Sequence, residues 1–282
     1  MIKFGPSGAD VRFYQDGGKN LSDMPKWLRG MKLDLYEYNC GRGVNVSSVR
    51  AEELRTAFSS CGIEISLHAP YYINLANTDV ELAAKSFIYI KQSAAAIKKM
   101  GGSRVVIHTA TVGKNSRESS FSLAKERLHI LSDEIERNEF TDIKFCLETM
   151  GKHGQIGTLS EITEFCGVSK YFYPCIDFGH VNSYTLGKLK TQKDYGEIIK
   201  EMLDMLPFEK VRDMHVHFSK IQYGQKGEVR HLNFDDTKYG PDFEPLMAVL
   251  HEHKLEPYIV CESDGNQAID ALAMKNHFFS LT

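Results

Sequence analysis

Short apolar runs recur along this chain, most of them followed by a longer stretch whose apolar residues repeat at helical spacing. The opening IKFGPSG reads as a strand running into a Pro/Gly turn. LDLYEYN (33–39), EISLHAP (64–70) and RVVIHTA (104–110) read as the next strands. IKFCLETM (143–150), YPCIDFGH (173–180), VRDMHVHFS (211–219) and PYIVCES (257–263) supply the rest. Between them the pattern predicts a short helix over DMPKWLRGM and one through AEELRTAFSSC, capped by Ser47 or Ser48 and stopped by Gly62. A long helix follows from about Asp79 to Met100, closed by Gly101 and Gly102. Others run from about Ser116 to Asn138, over LSEITEFCG, and from about Asp194 to Leu206. Pro241 is placed to open a helix over PDFEPLMAVLHEHK, and DGNQAIDALAMKNHFF is the closing helix.

Eight strands alternating with helices, without low-complexity segments or obvious linkers, imply an α/β protein with a parallel sheet. Eight units favour one domain over residues 1–282, a closed (β/α)8 TIM barrel. Such barrels carry their chemistry at the C-terminal ends of the strands. His68, His108, Glu148, Asp177, His215 and Glu262 all fall there. Asp177 and His180 stand at a metal-ligand spacing, and His217 shares a strand face with His215 because side chains alternate. A long polar loop, SKIQYGQKGEVRHLNFDDTKYG, adds Glu228 and His231.

Composition narrows the choice of chemistry. Of 282 residues, 42% are hydrophobic and 25% charged, with no long apolar run and no signal-like start, so a soluble, cytoplasmic monomer is expected. The six cysteines are scattered and several lie inside strand-like runs, which is neither a disulfide framework nor a zinc knuckle. A net charge of -3 argues against a general nucleic-acid coat protein. Bound cations would still make one mouth of the barrel electropositive.

Imidazoles and carboxylates converging on one face suit Zn²⁺ or Mn²⁺. With His180 and His231 there are eight candidate ligands, enough for two or three ions if Glu148 bridges a pair. Clusters of that kind stabilise both the attacking and the leaving oxygen in phosphoryl transfer, which makes phosphodiester hydrolysis the leading chemistry.

The segments SLHAPYYINLAN, VVIHTA, CLETM, CIDFGHVN, MHVHFSK, GEVRHLNFDD, YGPDFEPL and VCESDG, in that order, resemble successive motifs of endonuclease IV. That family comprises barrel-fold apurinic/apyrimidinic endonucleases within the xylose-isomerase-like barrels. They use three zinc ions to cut double-stranded DNA 5′ to an abasic site in base excision repair. The resemblance implies up to three Zn²⁺, with Mn²⁺ able to serve at one site. It assigns His68 and His108 to the first ion, with Glu148 as catalytic bridge to a second held by Asp177, His215 and Glu262. His180 and His231 go to the third ion. Tyr71 matches the family's aromatic wedge into the DNA stack, Arg42 is a looser match in the same role, and Lys220 is a candidate phosphate contact.

The pattern departs from the family at Val229, where an aspartate is usual. Glu228 is expected to replace it, ahead of His217. The first strand also lacks the family's histidine. Two rival expectations stand beside the nuclease: a sugar isomerase or epimerase with one metal at Glu148, Asp177, His215 and Glu262, and a non-catalytic metal-binding barrel. His68, His108 and His231 separate them, because a single-metal isomerase has no need of these three.

Overall fold

The computed structural model describes residues 1–281. Eight parallel strands form the central sheet: β1 (Lys3–Pro6), β2 (Leu35–Asn39), β3 (Glu64–His68), β4 (Arg104–Ile107), β5 (Lys144–Glu148), β6 (Phe172–Asp177), β7 (His215–Phe218) and β8 (Tyr258–Cys261). Each expected strand is present. The sheet runs in the order β1, β8, β7, β6, β5, β4, β3, β2. It closes where Asp34 N donates to Phe4 O and Gly8 N to Glu37 O, each at 2.9 Å. Gly5 permits that seam, since a Cβ there would run into the Leu35 carbonyl. The result is the (β/α)8 barrel the sequence implies.

Helices are set by the signals that predict them. Ser47 caps Ser48–Cys61, which Gly62 ends in a left-handed turn at φ 63°, and Asp79 caps Val80–Met100 by accepting from Glu81 N and Leu82 N. The Pro241 expectation needs correction: the helix starts at Glu244, with Pro245 rather than Pro241 in its first turn. Asp177 caps an additional short helix, Phe178–Tyr184, that the apolar pattern did not reveal. Among the described residues no helix is long and apolar enough to cross a membrane.

Alternation along the strands fills the barrel in tiers. The lowest tier is charged. Arg104 is fully buried, pairs with Asp213, and lies with its guanidinium 3.9 Å from the Tyr258 ring centre, while Lys144 also reaches Asp213. Glu64 accepts from Lys3 and from the Tyr258 hydroxyl. Two positions up each strand lie Glu37, Ser66, Val106, Cys146, Cys175 and His215, all fully buried. Two further positions up are His68, His108, Glu148, Asp177, His217 and Glu262. The bottom is thus plugged by paired charges, and the imidazoles and carboxylates of the upper tier meet a cavity at the top.

Candidate metal centre

Glu148 ends β5 as a fully buried carboxylate ringed by four imidazoles. His68 Nε2 lies 3.2 Å and His108 Nε2 3.0 Å from its Oε2, while His217 Nδ1 lies 3.0 Å and His180 Nδ1 3.5 Å from its Oε1. Burial alone would raise its pKa. The surrounding imidazoles, His217 and His108 foremost, outweigh that and hold it well below the usual carboxylate range.

Three ligand groups adjoin one another. His68, His108 and Glu148 form one, Glu148, Asp177, His217 and Glu262 a second, and His180, Glu228 and His231 a third, each with its candidate atoms within 4.8 Å of one another. Glu148 belongs to the first two. Asp177 divides its oxygens: Oδ1 accepts from His180 N at 2.8 Å as the helix cap, whereas the buried Oδ2 makes no hydrogen bond. It faces His180 Nδ1 at 3.2 Å. A carboxylate oxygen orphaned in this way, among imidazoles and further carboxylates, fits a divalent cation by donor type and by unmet demand. Burial, together with the nearby Glu262 and Glu148 charges, raises the Asp177 pKa against the pull of His180, which is the electrostatic mark of a site short of positive charge.

Three of the imidazoles are anchored through Nδ1, which turns Nε2 toward the ligand groups. His68 Nδ1–H donates to Ala69 O at 2.8 Å, which leaves Nε2 facing Glu148. His180 Nδ1–H donates to Thr149 O at 3.0 Å, which leaves Nε2 3.4 Å from Glu228 Oε2. His231 Nδ1 is anchored on the Ser219 hydroxyl at 2.8 Å.

One expected residue exchanges places with its neighbour. The seventh-strand ligand was expected to be His215, but it is His217 that meets Glu148, and His217 Nδ1 is also 3.6 Å from Glu262 Oε2. His215 lies one tier deeper, 3.0 Å from Glu37 Oε2. Burial lowers its pKa to about 4, so it is neutral. The reason is the two-residue repeat of a strand, which gives both histidines the same face at different depths.

Glu228 and His231 enter from an antiparallel hairpin, Lys220–Gly224 with Gly227–Leu232. Glu228, the expected stand-in for the missing aspartate, lies beside His180 and His231, and Val229 is 57% exposed. Gly151 makes room for the approach: a Cβ there would stand 2.8 Å from both Glu228 Cβ and His180 Cδ2.

At the rim, Tyr71 is 56% exposed and packs edge-on against Tyr72 at 5.2 Å between ring centres. Arg42 is exposed in the loop after β2, where its carbonyl accepts from the Tyr72 hydroxyl. Lys220 is not presented to a ligand. Its ammonium donates to Phe234 O at 3.2 Å and Asp236 O at 2.6 Å and so ties down its own loop. A cavity of about 300 Å³ opens over the ligands, bounded by Tyr71, Lys152 and Gln155 as well as by the three groups. Sequence reasoning missed Glu37, whose signal was a charged residue at an inward position of an apolar strand.

An eight-stranded parallel barrel with three contiguous groups of imidazoles and carboxylates at its C-terminal mouth defines a class, a barrel whose mouth could hold metal ions. The chain belongs to the xylose isomerase-like TIM barrel family, whose model matches residues 25–276. It is 27% identical over 275 residues to an uncharacterized protein of Methanocaldococcus jannaschii, covering 98% of this chain and 96% of that one. It is 26% identical over 215 residues to a probable endonuclease 4 of Acholeplasma laidlawii, covering 73% and 70% of the two chains. Among solved structures, a D-tagatose 3-epimerase-like protein superposes with a TM-score of 0.70 at 18% identity, covering 99% of this chain and 98% of that one. The last similarity speaks for the fold alone.

Proposed function

We propose that the protein is a metal-dependent phosphodiesterase of the endonuclease IV type, cutting double-stranded DNA 5′ to an abasic site. The observation that carries this reading is Glu148, shared between the His68–His108 group and the Asp177–His217–Glu262 group, with His180, Glu228 and His231 beside them. A single-metal sugar enzyme has no use for the first and third groups. Zn²⁺ is the ion proposed, since mixed imidazole and carboxylate donors suit it. Divalent ions held there would supply Lewis acidity, activating water and offsetting charge on the phosphodiester oxygens.

The chain's own residues do the positioning. Glu148 joins two groups and orients what lies between them. His180, Glu228 and His231 line the same cavity as His68 and His108. Tyr71 offers an exposed ring to the gap left by a missing base, where unstacking costs least. Arg42, on the adjoining loop, is within the same rim and would meet phosphate. No partner subunit is required for any of these contacts, and a monomer is proposed.

The test is incubation of the metal-loaded protein with a labelled duplex carrying one tetrahydrofuran abasic analogue, alongside elemental metal analysis. Incision 5′ to the lesion with a 3′-hydroxyl product, and two to three ions per chain, supports the reading. A second reading, a sugar epimerase, is favoured by the self-sufficiency of the Glu148–Asp177–His217–Glu262 group. One ion per chain, no incision and turnover of a ketose would establish it instead.

A further inference from the structure

Glu37 is a fully buried carboxylate in the middle tier of the barrel, beneath the ligand groups and outside all of them. Its Oε1 lies 2.9 Å from His217 Nε2, and its Oε2 lies 3.0 Å from His215 Nε2. Oε2 also accepts from the Ser66 hydroxyl at 2.9 Å. The two imidazole contacts are close but not well aligned as hydrogen bonds, so they act chiefly through charge and proximity. Glu37 thus holds the Nε2 edge of the His217 ring, while Nδ1, on the other side of the ring, faces Glu148 and Glu262.

Taking a carboxylate out of water is unfavourable even when it is partnered, so an uncharged residue would fill this position at less cost. Ser66, Val106, Cys146 and Cys175, fully buried in the same tier on β3 to β6, are all uncharged. The charge at 37 is thus accounted for by what it does to His217.

We propose that Glu37 is a positioning residue of the metal centre, which holds the Nε2 side of His217 so that Nδ1 faces the ion, and which anchors on His215 and Ser66. This role rests on the metal centre of the proposed function and on no substrate. Buried acceptors of this kind typically change metal affinity about 10- to 100-fold when removed.

The test is a Co²⁺ titration of the metal-stripped full chain in competition with a chromophoric chelator, reading stoichiometry, affinity and the visible absorption of the bound ion, with no DNA present. Glu37→Gln should weaken one ion about 10- to 100-fold and shift its absorption, leaving the others as in the wild type. Val106→Ala opens space in the same tier without removing a partner of Glu37 and should leave all affinities in place. Should Glu37→Gln fail to fold, Glu37→Asp, which withdraws the carboxylate by one methylene, should weaken the same ion by a smaller factor.

Unchanged Co²⁺ affinity in these Glu37 variants overturns the role. So does equal weakening by Val106→Ala, which would mark a general loss of packing, and so does loss of a whole ion in His215→Gln, which would make His215 itself a ligand. A wild-type chain that binds Co²⁺ in the expected way but cuts no abasic duplex removes the nuclease reading and leaves Glu37 in its role. A wild-type chain that binds no Co²⁺ removes both.

Discussion

Glu228 and His231 are three residues apart on one strand of a hairpin, an odd spacing that in regular pleating puts side chains on opposite faces, yet both reach His180 in one ligand group. The pairing register supplies the cause: Gln222 is opposite Arg230 and Tyr223 is opposite Glu228, so Val229 is an extra residue without a partner, a β-bulge. The bulge restores the shared face. Deleting Val229 should therefore turn Glu228 away from His180 while leaving the barrel intact. The expected outcome is a chain with one bound ion fewer than the wild type and an unchanged circular dichroism spectrum. Full metal content in the deletion variant would show that Glu228 is not a ligand.

The same bulge explains what could and could not be seen in the sequence. The barrel was legible because period-two strands and period-3.6 helices alternate and are punctuated by Gly62, Gly101 and helix caps such as Asp79. Strand-end chemistry followed from the barrel, which is why His68, His108, Glu148, Asp177 and Glu262 were found as neighbours. Depth within the barrel was not legible. His215 and His217 have the same inward direction, and only the offset of β7 against β6 and β8 sets which is level with Glu148. In the structure His215 is beside Cys175 and Tyr258, and His217 is beside Asp177 and Val260. Nor could Glu37 be placed, since its partners are histidines roughly 180 residues away in sequence, brought near only by closure of the barrel.

Metal loading should stabilise the fold as well as serve the chemistry. Glu148, Asp177 and Glu262 crowd a common site in which Asp177 Oδ2 has no hydrogen bond. An ion that binds only the folded chain adds about 4 kcal/mol at a free concentration of 1,000 times its dissociation constant. Differential scanning calorimetry with Zn²⁺ against EDTA should therefore show a Tm several degrees higher with metal, about 2–4 °C per kcal/mol for a chain of this size. His217→Asn should lose most of the gain, and His215→Asn should retain it. An identical Tm with and without Zn²⁺ would count against any site of useful affinity.

Acid stability should depend on Glu161, away from the ligand groups. Both of its oxygens meet the Arg117 guanidinium at 2.7 Å, and Oε2 also accepts from Gly157 N and Thr158 N at 2.8 Å, which fastens two helices to the loop that carries Lys152 and Gln155. Burial by itself would raise its pKa, but Arg117 and the two backbone amides bring it below the usual value. A depressed carboxylate contributes fully above its unfolded pKa of about 4.3 and loses that contribution as pH falls through the folded value. Glu161→Gln should cost about 1–3 kcal/mol at pH 7, with the difference from wild type shrinking below about pH 4. Urea unfolding at pH 7 and pH 3 is the measurement, and a gap of the same size at both would show that the ionised form is not what stabilises.

Tyr71 gives the sharpest separation between binding a lesion and cutting it. Its ring is exposed at the rim, braced by Tyr72, which in turn packs against Tyr89 at 5.1 Å between ring centres. Removing an exposed ring that stacks on DNA costs about 1–3 kcal/mol, or roughly 5- to 150-fold in affinity. Tyr71→Ala should weaken binding to the abasic duplex by that factor and leave affinity for intact duplex nearly unchanged, because an intact stack has no gap for the ring to enter. Metal content should be that of the wild type, since Tyr71 belongs to none of the ligand groups. Fluorescence anisotropy with matched abasic and intact duplexes decides it: equal weakening on both would reduce Tyr71 to a general surface contact, and loss of metal would place it among the supports of the centre instead.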